Sequence, residues 1–195
     1  MALSDVQSAL ALLFTDEAAR ADFLRDPQAA GRALGLDARD AETLAHLAPC
    51  AVRQFAGSLK AKSALDARKR MPLTAQALGE AFADHWRAAV APLPTGASRA
   101  DEAHALAARL ATLAREKRLA PEWIGDLACY EAAFVEAAQR RFGMRARLFR
   151  FPVLRIAARL HGGDAVDECA ARATLAVWAR WPGGRLFHRM WMLGR

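Results

Sequence analysis

The side chains with the widest chemical reach are five histidines (His46, His85, His104, His161 and His188) and three cysteines (Cys50, Cys129 and Cys169). A helical metal pair needs the His-x-x-x-His interval, and zinc or iron–sulfur motifs need cysteines in close pairs. Neither spacing occurs. His161 leads into Gly162-Gly163-Asp164 and is the one histidine in a loop beside an acid, but one such pair does not make a site. Ser58, Ser63 and Ser98 sit in helical or linker contexts, without the Gly-x-Ser-x-Gly elbow that exposes a nucleophilic hydroxyl. The glycine patterns of dinucleotide and ATP sites are missing as well. Trp123 and Glu131, a helix-like interval apart, read as packing and solvation rather than acid–base partners. The expectation is a chain with no catalytic residue, no metal ligand and no cofactor of its own.

Arginine is the more informative residue. Between Arg140 and Arg195 there are twelve arginines and no lysine, against Asp164, Asp167 and Glu168, so this third carries 12 − 3 = +9. The formal charge of the whole chain is +7, which leaves −2 for the rest. Guanidinium suits bidentate contact with carboxylate or phosphate, so an acidic partner is implied: nucleic acid, an acidic peptide or an acidic protein face. The cluster from Lys60 to Arg70 reads more simply as a solvated face whose stems cover Phe55 and Leu59. Trp178, Trp181, Phe187 and Trp191 alternate with Arg180, Arg185 and Arg189. Such a sheet could stack bases, although no glycine–aromatic motif of RNA-binding sheets accompanies it. It could equally take an added peptide strand along an unfinished edge, with arginines selecting an acidic segment, or bury its tryptophans in its own core. The residues that would contact such a peptide are Arg147, Arg150, Phe151, Arg185, Phe187 and Arg189.

The elements that would position these residues are mostly helical. Ser4-Asp5 and Thr15-Asp16-Glu17 open the first two helices, Asp26-Pro27 marks a boundary, and Leu34-Gly35-Leu36 offers a glycine C-cap. Asp37 or Asp40 caps a helix that stops near Pro49; Val52, Phe55 and Leu59 recur at helical intervals, and Thr74 caps a helix bearing Leu78, Phe82 and Trp86. The stretch 91–98, with two prolines and a glycine, divides the chain into a helical domain over 1–92 and a second domain over 99–195. A helix from about Asp101 to Lys117 and another carrying Trp123 to Val135 form an antiparallel pair. Arg145–Leu154, Thr174–Trp181 and Arg185–Met192 read as three antiparallel strands, with Pro182-Gly183-Gly184 reversing the chain and a short segment around 163–173 as a connector. The fold class is α+β, mostly α: a helical bundle, a helical hairpin and a small C-terminal sheet. No apolar run is long enough to span a bilayer, and the N-terminus lacks the pattern of a secretion signal, so a soluble cytoplasmic chain is expected.

Three stretches carry a resemblance. They are Phe23-Leu24-Arg25-Asp26-Pro27 through Leu34-Gly35-Leu36; Phe55-Ala56-Gly57-Ser58-Leu59 with Lys60 to Arg70, continuing through Pro72-Leu73-Thr74 to Leu78-Gly79; and Trp123-Ile124-Gly125-Asp126-Leu127-Ala128-Cys129-Tyr130-Glu131. Together they resemble the partner subunits of multinuclear non-heme iron oxidases that modify ribosomally made peptides, the MbnC-type subunits of methanobactin biosynthesis among them. The resemblance implies a subunit without iron, bound to a TIM-barrel oxidase (MbnB-like) that holds the iron centre and converts peptide cysteines to oxazolone and thioamide groups. It further implies that the precursor's leader peptide joins the C-terminal sheet. Binding to a membrane is not expected, and nucleic acid, favoured by the +9 region alone, is the competing partner.

Overall fold

The computed structural model describes residues 3–94, 96–139, 143–166, 169–181 and 183–193. The chain divides into two compact units, with the division between Ser63 and Ala64. That point lies inside helix α5 (Pro49–Arg70), not at the proline-rich stretch 91–98.

The first unit holds α1 (Leu3–Thr15), α2 (Glu17–Arg25), α3 (Pro27–Ala33), α4 (Ala38–Ala45) and the first part of α5. Aspartates start three of these helices, each accepting a hydrogen bond from an N–H that no helical carbonyl reaches. Asp16 accepts from Ala19 at 2.9 Å, Asp26 from Ala29 at 3.0 Å and Asp37 from Asp40 at 2.8 Å. Of the two candidate caps for α4, Asp37 is the cap and Asp40 lies in the first turn. Leu13, Phe23, Leu44 and Val52 form the centre of this unit's core. Arg20 is buried, and its Nη1 donates to the carbonyl of Leu13 at 3.2 Å, satisfying the C-terminal end of α1.

The second unit contains α6 (Pro72–Leu78), α7 (Phe82–Val90), α8 (Arg99–Arg115) and α9 (Trp123–Gln139). Phe82 and Trp86 before the 91–98 stretch share one core with Leu106, Leu110 and Leu127 after it. A proline-rich composition marks where the backbone turns; apolar faces on both sides of it decide that the two flanks pack as one body. Ser98 opens α8 with a reciprocal capping box, its Oγ accepting from Asp101 N–H while the Asp101 carboxylate accepts from Ser98 N–H. Helices α8 and α9 run antiparallel, with His104 beside Glu136, Ala107 beside Cys129 and Ala111 beside Gly125. Thr74 is not a cap. It lies inside α6, which begins at Pro72, and is buried.

The C-terminal portion adds β1 (Gly143–Phe149), α10 (Val153–His161), β2 (Thr174–Arg180) and β3 (Phe187–Met192). The first strand stops at Phe149, so the extended reading through Leu154 is corrected. Val153, Ile156, Ala157 and Leu160 are all buried at helical spacing, and Pro152 supplies the turn into α10. The sheet order is β1-β2-β3, antiparallel throughout. The central strand is fastened at both ends: Thr174 Oγ1 donates to the Phe151 carbonyl at 2.6 Å, and Arg180 Nη1 donates to the carbonyls of Ala137 and Ala138 at 3.1 and 2.9 Å. The protein is thus α+β, mostly helical, with a small C-terminal antiparallel sheet. Among the described residues, no helix is long and apolar enough to cross a membrane.

Candidate docking sheet

Strand geometry sends alternate side chains to opposite faces. The inner face carries Phe149, Ala176 and Trp178, all buried, and Trp178 meets Tyr130 and Phe134 of α9 at ring-centroid distances of 5.9 and 5.7 Å. His188 joins the same cluster 5.2 Å from Trp178, and burial lowers its pKa, favouring the neutral ring.

The outer face is a lattice of three cross-strand rows. One row is Leu148, Leu175 and Trp191; the next is Ala146, Val177 and Arg189; the third is Met144, Ala179 and Phe187. Eight of these nine positions are apolar. Met144 is 80% exposed, Leu148 62%, Phe187 46% and Trp191 43%. An antiparallel sheet with one solvated face ordinarily alternates apolar-in with polar-out, and this one does not. Arg189 lies over Trp191, 5.9 Å from the ring centroid.

The ladder also fixes which backbone groups are free. Leu193 N–H donates to the Ala173 carbonyl at 2.8 Å, continuing the β2–β3 register as a hydrogen-bonded pair. Hydrogen-bonded and non-bonded pairs alternate, so His188, Met190 and Met192 turn their N–H and C=O groups away from β2. On β1 the outward groups belong to Met144, Ala146 and Leu148. The sheet therefore ends in two strands whose outward main-chain donors and acceptors have no backbone partner among the described residues.

The six residues read from sequence divide sharply. Arg185, Phe187 and Arg189 are exposed on or just before β3. Phe151 is buried in the core. Arg150 is tied to Glu122, with Nη1 2.6 Å from the carboxylate. Arg147 reaches inward, its Nη2 2.8 Å from Cys129 Sγ and its guanidinium 5.9 Å from the Phe149 ring centroid. Three of the six thus lie exposed along β3 or just before it, whereas Arg147 meets Cys129 of α9 and Arg150 meets Glu122 just ahead of that helix. Pattern reading missed Met144, Leu148, Leu175 and Val177. The alternation of Met144, Ala146 and Leu148 with arginines is the signal for the β1 residues; the register brings Leu175 and Val177 beside them.

Several acids beneath the sheet have structural partners. Asp126 accepts from the N–H groups of Arg150 and Phe151 at 2.7 and 3.0 Å, pinning the turn after β1. Burial raises its pKa, with those hydrogen bonds pulling the other way. Glu136 is shared between His104, 2.8 Å away, and Arg145. Cys129 is buried, which pushes its thiol up to about 11 despite Arg147; its deprotonated form is scarce at neutral pH. His161 and Asp164 are exposed at the end of α10. Among the described residues, no group of three histidines, cysteines or carboxylates converges as a metal site.

Compared with protein-family models, curated proteins and solved structures, the chain matches none at the significance applied.

Proposed function

We propose that this chain is the non-catalytic partner subunit of an iron-dependent, peptide-modifying oxidase of the methanobactin type, and that it receives the leader of a ribosomally made precursor on its C-terminal sheet. The observation that carries the reading is a three-stranded antiparallel sheet whose two outer strands turn main-chain groups outward that have no backbone partner among the described residues, with Arg185 exposed at the entrance to β3. A peptide adding as a fourth strand gains affinity from backbone pairing, and a nearby guanidinium favours an acidic segment. The iron and the oxygen chemistry belong to the oxidase. This chain's part is to hold the peptide and the oxidase together in the cytoplasm.

Edge prolines separate the two possible strands. Ala146→Pro removes an outward donor on β1, and Met192→Pro removes one on β3, while each leaves the ladder to β2 intact. Calorimetry with cognate and scrambled leader peptides is expected to give a loss of about tenfold or more for one variant, with circular dichroism unchanged. Full affinity in both variants, or equal affinity for the scrambled leader, rejects strand addition. The arginine excess supports nucleic acid as a second reading; there, affinity would fall steeply and log-linearly with salt for any duplex of sufficient length.

A further inference from the structure

We infer that the outer face of the sheet is the seat of a single amphipathic helix from a partner protein, an apolar helix that carries one carboxylate to meet Arg189. This goes beyond the edge reading and stands without it, because the edge uses main-chain groups and the face uses side chains.

Size comes first. Three strands about 4.8 Å apart and five residues long make a face roughly 10 Å by 17 Å, which matches a helix of about 10 Å diameter over three turns. It is far below the roughly 800 Å² per partner of a stable interface between two folded faces.

Charge then selects the occupant. Arg189 sits in the middle row between the apolar rows of Leu148 and Met144. Its guanidinium lies over the Trp191 ring, and among the described residues no carboxylate pairs with it. A helix covering the face would desolvate that guanidinium, a penalty that a negative charge on the helix offsets. A second copy fails this requirement. A twofold contact presents the same patch from both sides and would set Arg189 against its own mate, on a face that contains no acid.

The test is a selection on the immobilised full chain, using a displayed library of random peptides long enough for about three turns of helix. Enriched peptides are expected to share apolar residues at helical intervals plus one Asp or Glu. Fluorescence anisotropy of a synthesised winner should weaken by about tenfold or more with Leu148→Asp and with Arg189→Glu. Both positions are exposed, so circular dichroism should stay unchanged, and repeating the selection on Arg189→Glu should enrich Lys or Arg instead. Winners with strand-like alternation, winners without an acid, or affinity indifferent to both substitutions would overturn the inference. So would a concentration-dependent dimer of the free chain that Leu148→Asp abolishes.

Discussion

The carboxylate of Glu131, in the middle of α9, accepts the N–H groups of Leu73 and Thr74 at 3.0 and 2.7 Å, so that one helix caps the start of another. Helix α6 begins at Pro72 and has no side-chain cap of its own. The two donors that a Ser or Asp would normally satisfy are met from across the core. The buried acid at position 131 is there for that geometry.

Replacing Glu131 with Ala strands both donors in a buried site and is expected to cost about 1–3 kcal/mol. Glu131→Gln keeps one acceptor oxygen and should lose less. Urea denaturation of the two variants beside the parent gives the order; an Ala variant as stable as the parent contradicts the capping role.

The same burial makes stability depend on pH. Desolvation raises the pKa of Glu131 and of Asp126, with hydrogen bonds to each opposing it. A carboxyl with a raised folded pKa binds more protons folded than unfolded, so its contribution is present below its ordinary value and declines as pH rises through the folded one. The stability gap between the parent and Glu131→Gln should therefore narrow as pH increases from about 4 toward neutral. Chemical melts at a series of pH values test it, and a gap that widens over that range has the wrong sign.

Gly125 sets how closely α8 and α9 approach. A Cβ there would lie 3.0 Å from Ala111 Cα and 3.1 Å from the Leu110 carbonyl oxygen. Gly125→Ala is expected to destabilise by about 1–3 kcal/mol through overpacking. Gly57, within α5, would meet nothing within 4 Å. Gly57→Ala should instead stabilise by about 0.5–1 kcal/mol through helix propensity. Thermal melts should move in opposite directions.

Much of this architecture could be read from residue order, and the failures have physical causes. Asp16, Asp26 and Asp37 announce their helices because capping is local, needing only a short polar side chain three residues before an N–H; Ser98, read as linker, is the cap of a helix that starts at Arg99 rather than Asp101. The cap of α6 was invisible for the opposite reason, since Glu131 is 58 residues from Leu73. Strands β2 and β3 were legible from aromatic and branched residues between turn signals. The two faces of β2 could be told apart, Ala176 and Trp178 opposite Leu175 and Val177, but which of them meets the core could not, because both are apolar. Alternation locates a core only where one face is polar. The candidate arginines were chosen by proximity in sequence, while Arg147 and Arg150 had partners, Cys129 and Glu122, that only the fold brings near.

The cysteines give a separate check. Cys50 is exposed, whereas Cys129 is buried with its thiol held near 11. A chromogenic disulfide reagent at pH 8 should react with Cys50 in the native protein and with Cys129 only after denaturation. Peptide mapping of the labelled sites decides it; prompt native labelling of Cys129 would falsify the buried environment.

The two fastenings of β2 have a mechanical consequence. Thr174 and Arg180, at opposite ends of the strand, each bond to main-chain carbonyls of other elements, the turn at Phe151 and the last turns of α9. Sliding β2 along its neighbours by one repeat of the pleat would break both attachments together. A slip by a single residue would also turn Trp178 out of its aromatic cluster. The sheet thus behaves as a ruler clamped at both ends, and anything that reads positions along β1 or β3 reads them against marks that do not move.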